Sequence, residues 1–230
     1  MSGPQVLLAI EASQRRGGVA VRDRDGRDHV ELLGAESRHD DDLLAAIDRL
    51  YARLRLVPSD TRAIGVSTGP GGFTGLRIAI ATAKMLAESL GACLVAVPTS
   101  LVVAESRQGP GPIIVALSSK QDRVWATHLE QSGAARSWTI VGQGSLTDAA
   151  AVRLEGIAAL LGDRYLPEVL RTRCREAGIA VVEPVFSPLA CLAVAGRLLA
   201  EGRTTDPLEL APEYSRPPAA VVKTDIAAGG

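Results

Sequence analysis

The sequence predicts an α/β protein made of two halves of like plan, each a β-β-β-α-β-α-β unit. Three observations carry this. Short aliphatic runs bounded by turn residues alternate with stretches of helical spacing, as in mixed sheets flanked by helices. The same order of elements occurs over residues 1–100 and again over 101–216, although no residue-level repeat is visible. Of the 230 residues, 47% are hydrophobic and 3% aromatic, enough for a sizeable core that must be aliphatic.

The first half opens on Val6-Leu7-Leu8-Ala9-Ile10, a buried strand that ends in the polar turn Glu11-Ala12-Ser13. Residues 17–21 form a second strand and residues 29–33 a third, with Asp25-Gly26 between them as a hairpin signal. An amphipathic helix follows. Asp40, Asp41 and Asp42 sit in its first turn, where acidic groups suit the helix dipole. Leu43, Leu44, Ile47, Leu50, Tyr51 and Leu54 then share a face, and Pro58 stops it.

A strand over 63–67 leads into the most distinctive stretch, Thr68-Gly69-Pro70-Gly71-Gly72-Phe73-Thr74-Gly75-Leu76-Arg77-Ile78. It reads as a strand, a glycine turn and a helix, with Thr74 placed to cap the helix over 79–90. Glycines at 69, 71, 72 and 75 let a backbone or a ligand approach closely. The loop is neither a Walker A motif nor Gly-x-Gly-x-x-Gly in register. In the helix behind it, Arg77, Lys84 and Glu88 form one narrow polar stripe and nearly everything else is apolar or small. Such a helix needs cover on more than one side. The parent sheet supplies one cover; a partner chain or this chain's own second half supplies the other. Residues 92–97 are the next strand, ended by Pro98.

Gly109-Pro110-Gly111-Pro112 punctuates the chain. Strands are predicted over 113–117, 123–129 and 138–141, then a short helix from Thr147-Asp148. A strand over 157–161, a helix over 166–177, a strand over 179–182 and a helix over 188–201 complete the second half. This order is the plan of the actin-like ATPase (ASKHA) fold, whose members bind nucleotide in the cleft between halves. In the tail, Glu213-Tyr214-Ser215-Arg216-Pro217 is predicted ordered, because Tyr214 is worth burying, and 217–230 disordered.

Composition bounds the function. Net charge is −1 and the pI about 6.3, so no basic field is available to grip a nucleic acid unaided. Cys93, Cys174 and Cys191 are far apart and read as reduced core thiols. His29, His39 and His128 form no metal-ligand pattern, and no Gly-x-Ser-x-Gly elbow or Ser/His/Asp set is present. No leader and no apolar run of membrane length is visible, which predicts a soluble, cytoplasmic protein without a membrane partner.

The glycine stretch resembles the signature of the TsaB (YeaZ) family, Gly-Pro-Gly-Ser-Phe-Thr-Gly-Leu-Arg-Ile-Gly, with Gly72 in place of Ser and Ala79 in place of Gly. Leu8-Ala9-Ile10-Glu11-Ala12-Ser13 is similar to the family's opening Leu-Ala-Ile-Asp-Thr-Ser. Residues 38–44, 97–101 and 212–216 are similar to its helix start, its Val-Ser-Thr-Leu segment and its closing Pro-x-Tyr-Leu-Arg. The likeness covers about residues 5–216 and is stronger in the first half.

The resemblance implies a non-catalytic subunit of the bacterial machinery that makes N6-threonylcarbamoyladenosine at position 37 of ANN-decoding tRNAs. It implies pairing with TsaD, an actin-like protein that holds the metal and transfers the group, or with a second copy of itself. TsaE would join the pair, TsaC would supply threonylcarbamoyl-adenylate, and tRNA would be reached only through the complex. The implied interface is His39, Leu43, Leu44, Ile47, Leu50 and Tyr51 on one helix with Leu76, Ile80, Ala83 and Ala87 on the other. Glu11, Ser13, Gly69, Gly71, Gly72, Thr74 and Gly75 would form a degenerate nucleotide cleft. No catalytic residue, metal or cofactor is assigned to this chain, with ATP or ADP expected in the complex.

The chain also departs from the pattern. Glu11 and Ala12 replace Asp and Thr, and residues 118–125 replace an Asp-Ala-Arg-x-x-Glu-Val-Tyr segment, so that Ser118 stands where a carboxylate is usual. The alternative, a stand-alone actin-like phosphotransferase or nucleotide-binding protein, needs an acidic residue in the second half, where only Gly162-Asp163 offers one.

Overall fold

The computed structural model describes residues 6–34, 39–107, 109–132 and 137–214. The first half runs β1 (Val6–Glu11), β2 (Gly18–Arg22), β3 (Asp28–Leu32), α1 (His39–Leu54), β4 (Thr61–Gly69), α2 (Phe73–Leu90), β5 (Cys93–Pro98) and α3 (Thr99–Glu105). The second runs β6 (Ile113–Ser118), β7 (Arg123–Ser132), β8 (Ser137–Asp148), β9 (Ala159–Gly162), α4 (Glu168–Glu176), β10 (Ala180–Val182) and α5 (Pro188–Ala200). The strand orders are β3-β2-β1-β4-β5 and β10-β9-β6-β7-β8, so the two sheets share one topology. In each, an antiparallel meander is extended by parallel strands. The duplicated actin-like plan expected from element order is the plan observed.

Burial follows sheet position. All six residues of β1 are buried, because a central strand between parallel and antiparallel neighbours has both faces covered. The edge strand β3, Asp-His-Val-Glu-Leu, is part exposed and is tied to α1 by charge. Glu31 accepts from Arg49 at 3.0 Å and from Arg53 at 2.8 Å, while Asp42 accepts from Arg49 at 3.0 Å and from the Gly34 N–H at 2.6 Å.

α1 and α2 cover the outer face of the first sheet, with α1 reaching β2 and β3, and α2 lying along β4 and β5. α5, though last in sequence, packs against β1, β2, β4 and β5 of that sheet. α3, which ends the first half, lies against α5 and reaches β6 and β8. A continuous core of Leu7, Val97, Val102, Val115, Leu161, Cys191 and Leu198 therefore joins both sheets through these two helices. A boundary at residue 100 falls inside α3, and α5 belongs in space to the first sheet.

Three elements differ from the sequence reading. α3 is a helix although Thr99-Ser100-Leu101-Val102-Val103-Ala104 is rich in β-branched residues; all six are buried, and burial outweighs a weak local preference. β8 runs to Asp148 and not to 141, because pairing with β7 resumes after an irregularity between Ala126 and His128. The helix expected from Thr147 is a three-residue 3-10 turn over Ala149–Ala151, capped by Asp148, whose carboxylate accepts from the Ala150 N–H at 2.9 Å. The tail predicted disordered lies outside the described residues.

Candidate functional site: strand ends, glycine turn and the outer helices

β1 delivers Glu11 to the edge where an actin-like cleft would open, but its side chain is fully buried. The Ser13 N–H and hydroxyl both donate to Glu11 Oε1, at 2.8 and 2.5 Å. The other carboxylate oxygen has no hydrogen-bond partner among the described residues. Burial pushes the Glu11 carboxyl above its ordinary range, against the opposing hydrogen bonds from Ser13. The neighbouring Cys191 thiol is driven well up by burial and then by Glu11, and it donates to the Ile10 carbonyl at 3.7 Å. A thiol held in that form is inert.

The glycine turn is filled by the chain's own backbone. Gly69 has φ +118, which favours glycine, and its N–H donates to Thr99 Oγ1 at 3.1 Å. A Cβ at 69 would collide with the Glu213 carbonyl, and one at Gly71 with the Ser13 carbonyl. The Gly72 N–H donates to the Ser13 carbonyl at 2.7 Å, and the Glu213 N–H to the Thr68 carbonyl at 2.6 Å. The turn is thus gripped between the β1–β2 connection and a C-terminal strap. Tyr214 of that strap stacks on Phe73 with ring centroids 4.9 Å apart, and Arg77 sits 4.8 Å above the Phe73 ring. Leu210 is buried in the core beneath α1 and α2. α2 begins at Phe73 with Gly72 as its N-cap, without a side-chain cap bond. Thr74 lies exposed in the first turn, so its predicted capping role is corrected; Gly75 is buried in the helix.

At the matching end of the second half, Ser118 donates to Asp163 from its N–H at 2.9 Å and from its hydroxyl at 2.6 Å, and the Tyr165 N–H donates to the same carboxylate at 2.9 Å. Asp163 is committed to holding strand ends together. Three surface cavities, of about 220, 260 and 390 Å³, involve neither the glycine turn nor Glu11. Among the described residues no three His, Cys, Asp or Glu side chains converge as a metal set, and no helix is long and apolar enough to cross a membrane.

The residues expected to meet a partner mostly face inward. Leu43, Ile47, Leu50 and Tyr51 of α1 and Leu76, Ile80, Ala83 and Ala87 of α2 are buried together in the first half's own core. They hold the two helices to the sheet and are not available to another chain. Leu44 alone of the set is exposed, at 51%; the His39 side chain lies outside the described residues. Met85 is 59% exposed, Ala45 and Ala81 are exposed, and Ile78 is half-buried. The signal for this outer stripe was present as Ile78, Ala81 and Met85 at i, i+3 and i+7, a second apolar face on one helix. The cover for the inner face comes from the parent sheet and from Leu210 of the strap.

Two mixed sheets of one topology, an acidic residue ending the first strand and a glycine turn into a helix define an actin-like ATPase fold. The chain belongs to the family described as TsaD, tRNA N6-adenosine threonylcarbamoyltransferase, whose model matches residues 34–207. It is 34% identical over 98 residues to TsaB, a tRNA threonylcarbamoyladenosine biosynthesis protein of Haemophilus influenzae, covering 43% of this chain and 40% of that one. It is 26% identical over 129 residues to TsaB of Buchnera aphidicola, covering 54% and 57%. The chain thus spans about half the length of the curated relatives it matches. Its structure superposes on YeaZ from Pseudomonas aeruginosa with a TM-score of 0.77 and 22% identity, over 91% of this chain and all of that one. The resemblance to TsaB (YeaZ) is borne out.

Proposed function

We propose that this chain is a non-catalytic pairing subunit in the making of N6-threonylcarbamoyladenosine at position 37 of ANN-decoding tRNAs. Its partner is an actin-like chain of the TsaD kind, with TsaE and tRNA engaged through that pair and nucleotide held in the complex. One observation carries the reading. Leu44, Ala45, Ala81 and Met85 leave an apolar outer stripe on α1 and α2, helices whose inner face is already packed. Desolvating such a stripe favours association at roughly 25 cal/mol per Å² of apolar area removed from water. The filled glycine turn and the committed Asp163 support the same reading, because a phosphotransferase needs both free.

Light scattering after gel filtration tests it, on the chain alone and mixed with TsaD of its own organism. A one-to-one heterodimer that Leu44→Asp or Met85→Glu abolishes is the expected result. No complex, together with ATP hydrolysis by this chain alone, would overturn it in favour of a stand-alone phosphotransferase.

A further inference from the structure

Four exposed side chains of α2, Phe73, Arg77, Ala81 and Met85, fall in one row at four-residue spacing. Ala81 and Met85 belong to the apolar outer stripe of α1 and α2. Phe73, half-exposed, and Arg77 carry the row on to the glycine turn, and there it becomes charged.

The charged end is ordered. The Arg77 guanidinium lies 4.8 Å from the centre of the Phe73 ring, and the Tyr214 ring packs on the same Phe73 at 4.9 Å with its plane tilted by 31°. Tyr214 is fixed in turn, because its neighbour Glu213 donates to the Thr68 carbonyl and Leu210 is anchored in the core. Arg77 nevertheless has no ion pair among the described residues. Arg15 and Arg16, exposed in the β1–β2 connection just after the Ser13 that holds Gly72, have none there either. The nearby acids supply no counter-charge. Glu11 is fully buried, and burial alone raises the half-buried Glu213 carboxyl, so neither is spent on an arginine. A guanidinium already held on a ring loses little freedom on binding, and its planar fork matches a carboxylate. Apolar contacts beside it exclude water and strengthen that bond.

We propose that Phe73, Arg77 and Tyr214 extend the pairing face of α1 and α2 to the glycine turn, and that Arg77 donates there to a carboxylate of the partner chain. The inference rests on the pairing reading above and adds the chemistry of the partner, an apolar contact surface with an acidic side chain at one end. The apolar stripe sets the area of contact, and Arg77 sets which partner fits and in which direction.

The test measures the dissociation constant of the full chain with the TsaD-type partner of its own organism, by calorimetry at low and at high salt. Arg77→Gln, at an exposed residue and folded by circular dichroism, should weaken pairing roughly tenfold at low salt, the loss of one charge-assisted hydrogen bond. It should also flatten the salt dependence, which a merely structural role would not do. Phe73→Leu keeps an apolar side chain but removes the ring that orients Arg77, and should weaken pairing in the same direction. If Leu44→Asp abolishes the complex while Arg77→Gln pairs as the parent does at both salt concentrations, the stripe pairs and the role of Arg77 is overturned. If the parent itself forms no complex, the pairing reading fails and this inference falls with it.

Discussion

Asp163 stands in the second half where Ser67 stands in the first. Each comes one position after the last residue paired with its half's first strand, and each accepts the N–H two residues beyond the matched register position. Ile10 pairs with Val66 and the Ala12 N–H donates to Ser67 Oγ at 3.3 Å; Ala116 pairs with Gly162 and the Ser118 N–H donates to Asp163 Oδ2 at 2.9 Å. The duplication is therefore kept in the hydrogen bonding of the strand ends even where the side chains differ. The second-half carboxylate missing at Ser118 is present in space at Asp163, but as a strand clamp.

Asp163→Ala removes the acceptor of three hydrogen bonds and leaves Ser118 and Tyr165 donors unpaired. A loss of about 1–3 kcal/mol in urea unfolding is expected, with faster hydrogen exchange at the Ser118 amide. Unchanged exchange there would remove the clamp role.

The two adjacent glycines of the turn should respond differently. A Cβ at Gly71 would run into the Ser13 backbone, so Gly71→Ala should destabilise by about 1–3 kcal/mol or more. A Cβ at Gly72 would sit 3.6 Å from the same carbonyl, an ordinary contact, and its φ is −63. Gly72→Ser should stay within about 0.5 kcal/mol of the parent. Thermal melts of the two variants decide, and equal losses would contradict the packing described. This difference also accounts for the serine that the TsaB signature carries at the position of Gly72.

Inner and outer helix faces can be separated by mutation. Ile47→Asp or Ala83→Glu places a charge in the core and should cost at least about 3 kcal/mol, giving chains unfolded by circular dichroism. Leu44→Asp and Met85→Glu should leave the melt nearly unchanged and act only on association, read by gel filtration.

Glu11 makes stability depend on pH in a known direction. Its folded carboxyl is raised above the ordinary 4.5, so the folded state favours the protonated form. Its contribution is fully present below the unfolded value and is lost as pH rises through the folded one. Glu11→Gln does not titrate, so its melting temperature should exceed that of the parent increasingly as pH rises above 4.5 through the raised folded value, the two converging at acid pH. Glu31, held low first by Arg49, and Asp42, held low first by the Gly34 N–H, act oppositely. Their support is present at neutral pH and fades as pH falls below the ordinary carboxylate range, in both proteins alike. A constant offset between the two melting curves across pH would exclude the buried acid as the cause.

Much of this protein was legible one segment at a time. The strand runs, the hairpin at Asp25-Gly26, the helices carrying Leu43 and Leu76, and the glycine turn all come from periodicity and turn residues, which are local signals. The TsaB signature located the turn and the two helices that the pairing reading uses. The helical state of Thr99-Ser100-Leu101-Val102-Val103-Ala104 was hidden, because its residue types favour a strand and its burial between two sheets decides otherwise. The true length of β8 was hidden as well, since Gly142 to Gly144 carry no strand preference and fall in the irregularity, pairing with β7 resuming only at Ser145.

The sequence by itself determined the duplicated element order, the aliphatic core and the glycine turn, because each follows from which residues stand within a few positions of one another. Only the tertiary structure decided what fills the turn, where Asp163 is spent and which stripe of α2 faces outward. Glu213 reaches Gly69 across 144 positions, and α5 crosses to the first sheet late in the chain. On a helix apolar on two faces, periodicity marks both stripes equally. The inward one is selected by the sheet and by Leu210, contacts that exist only once the chain has closed on itself.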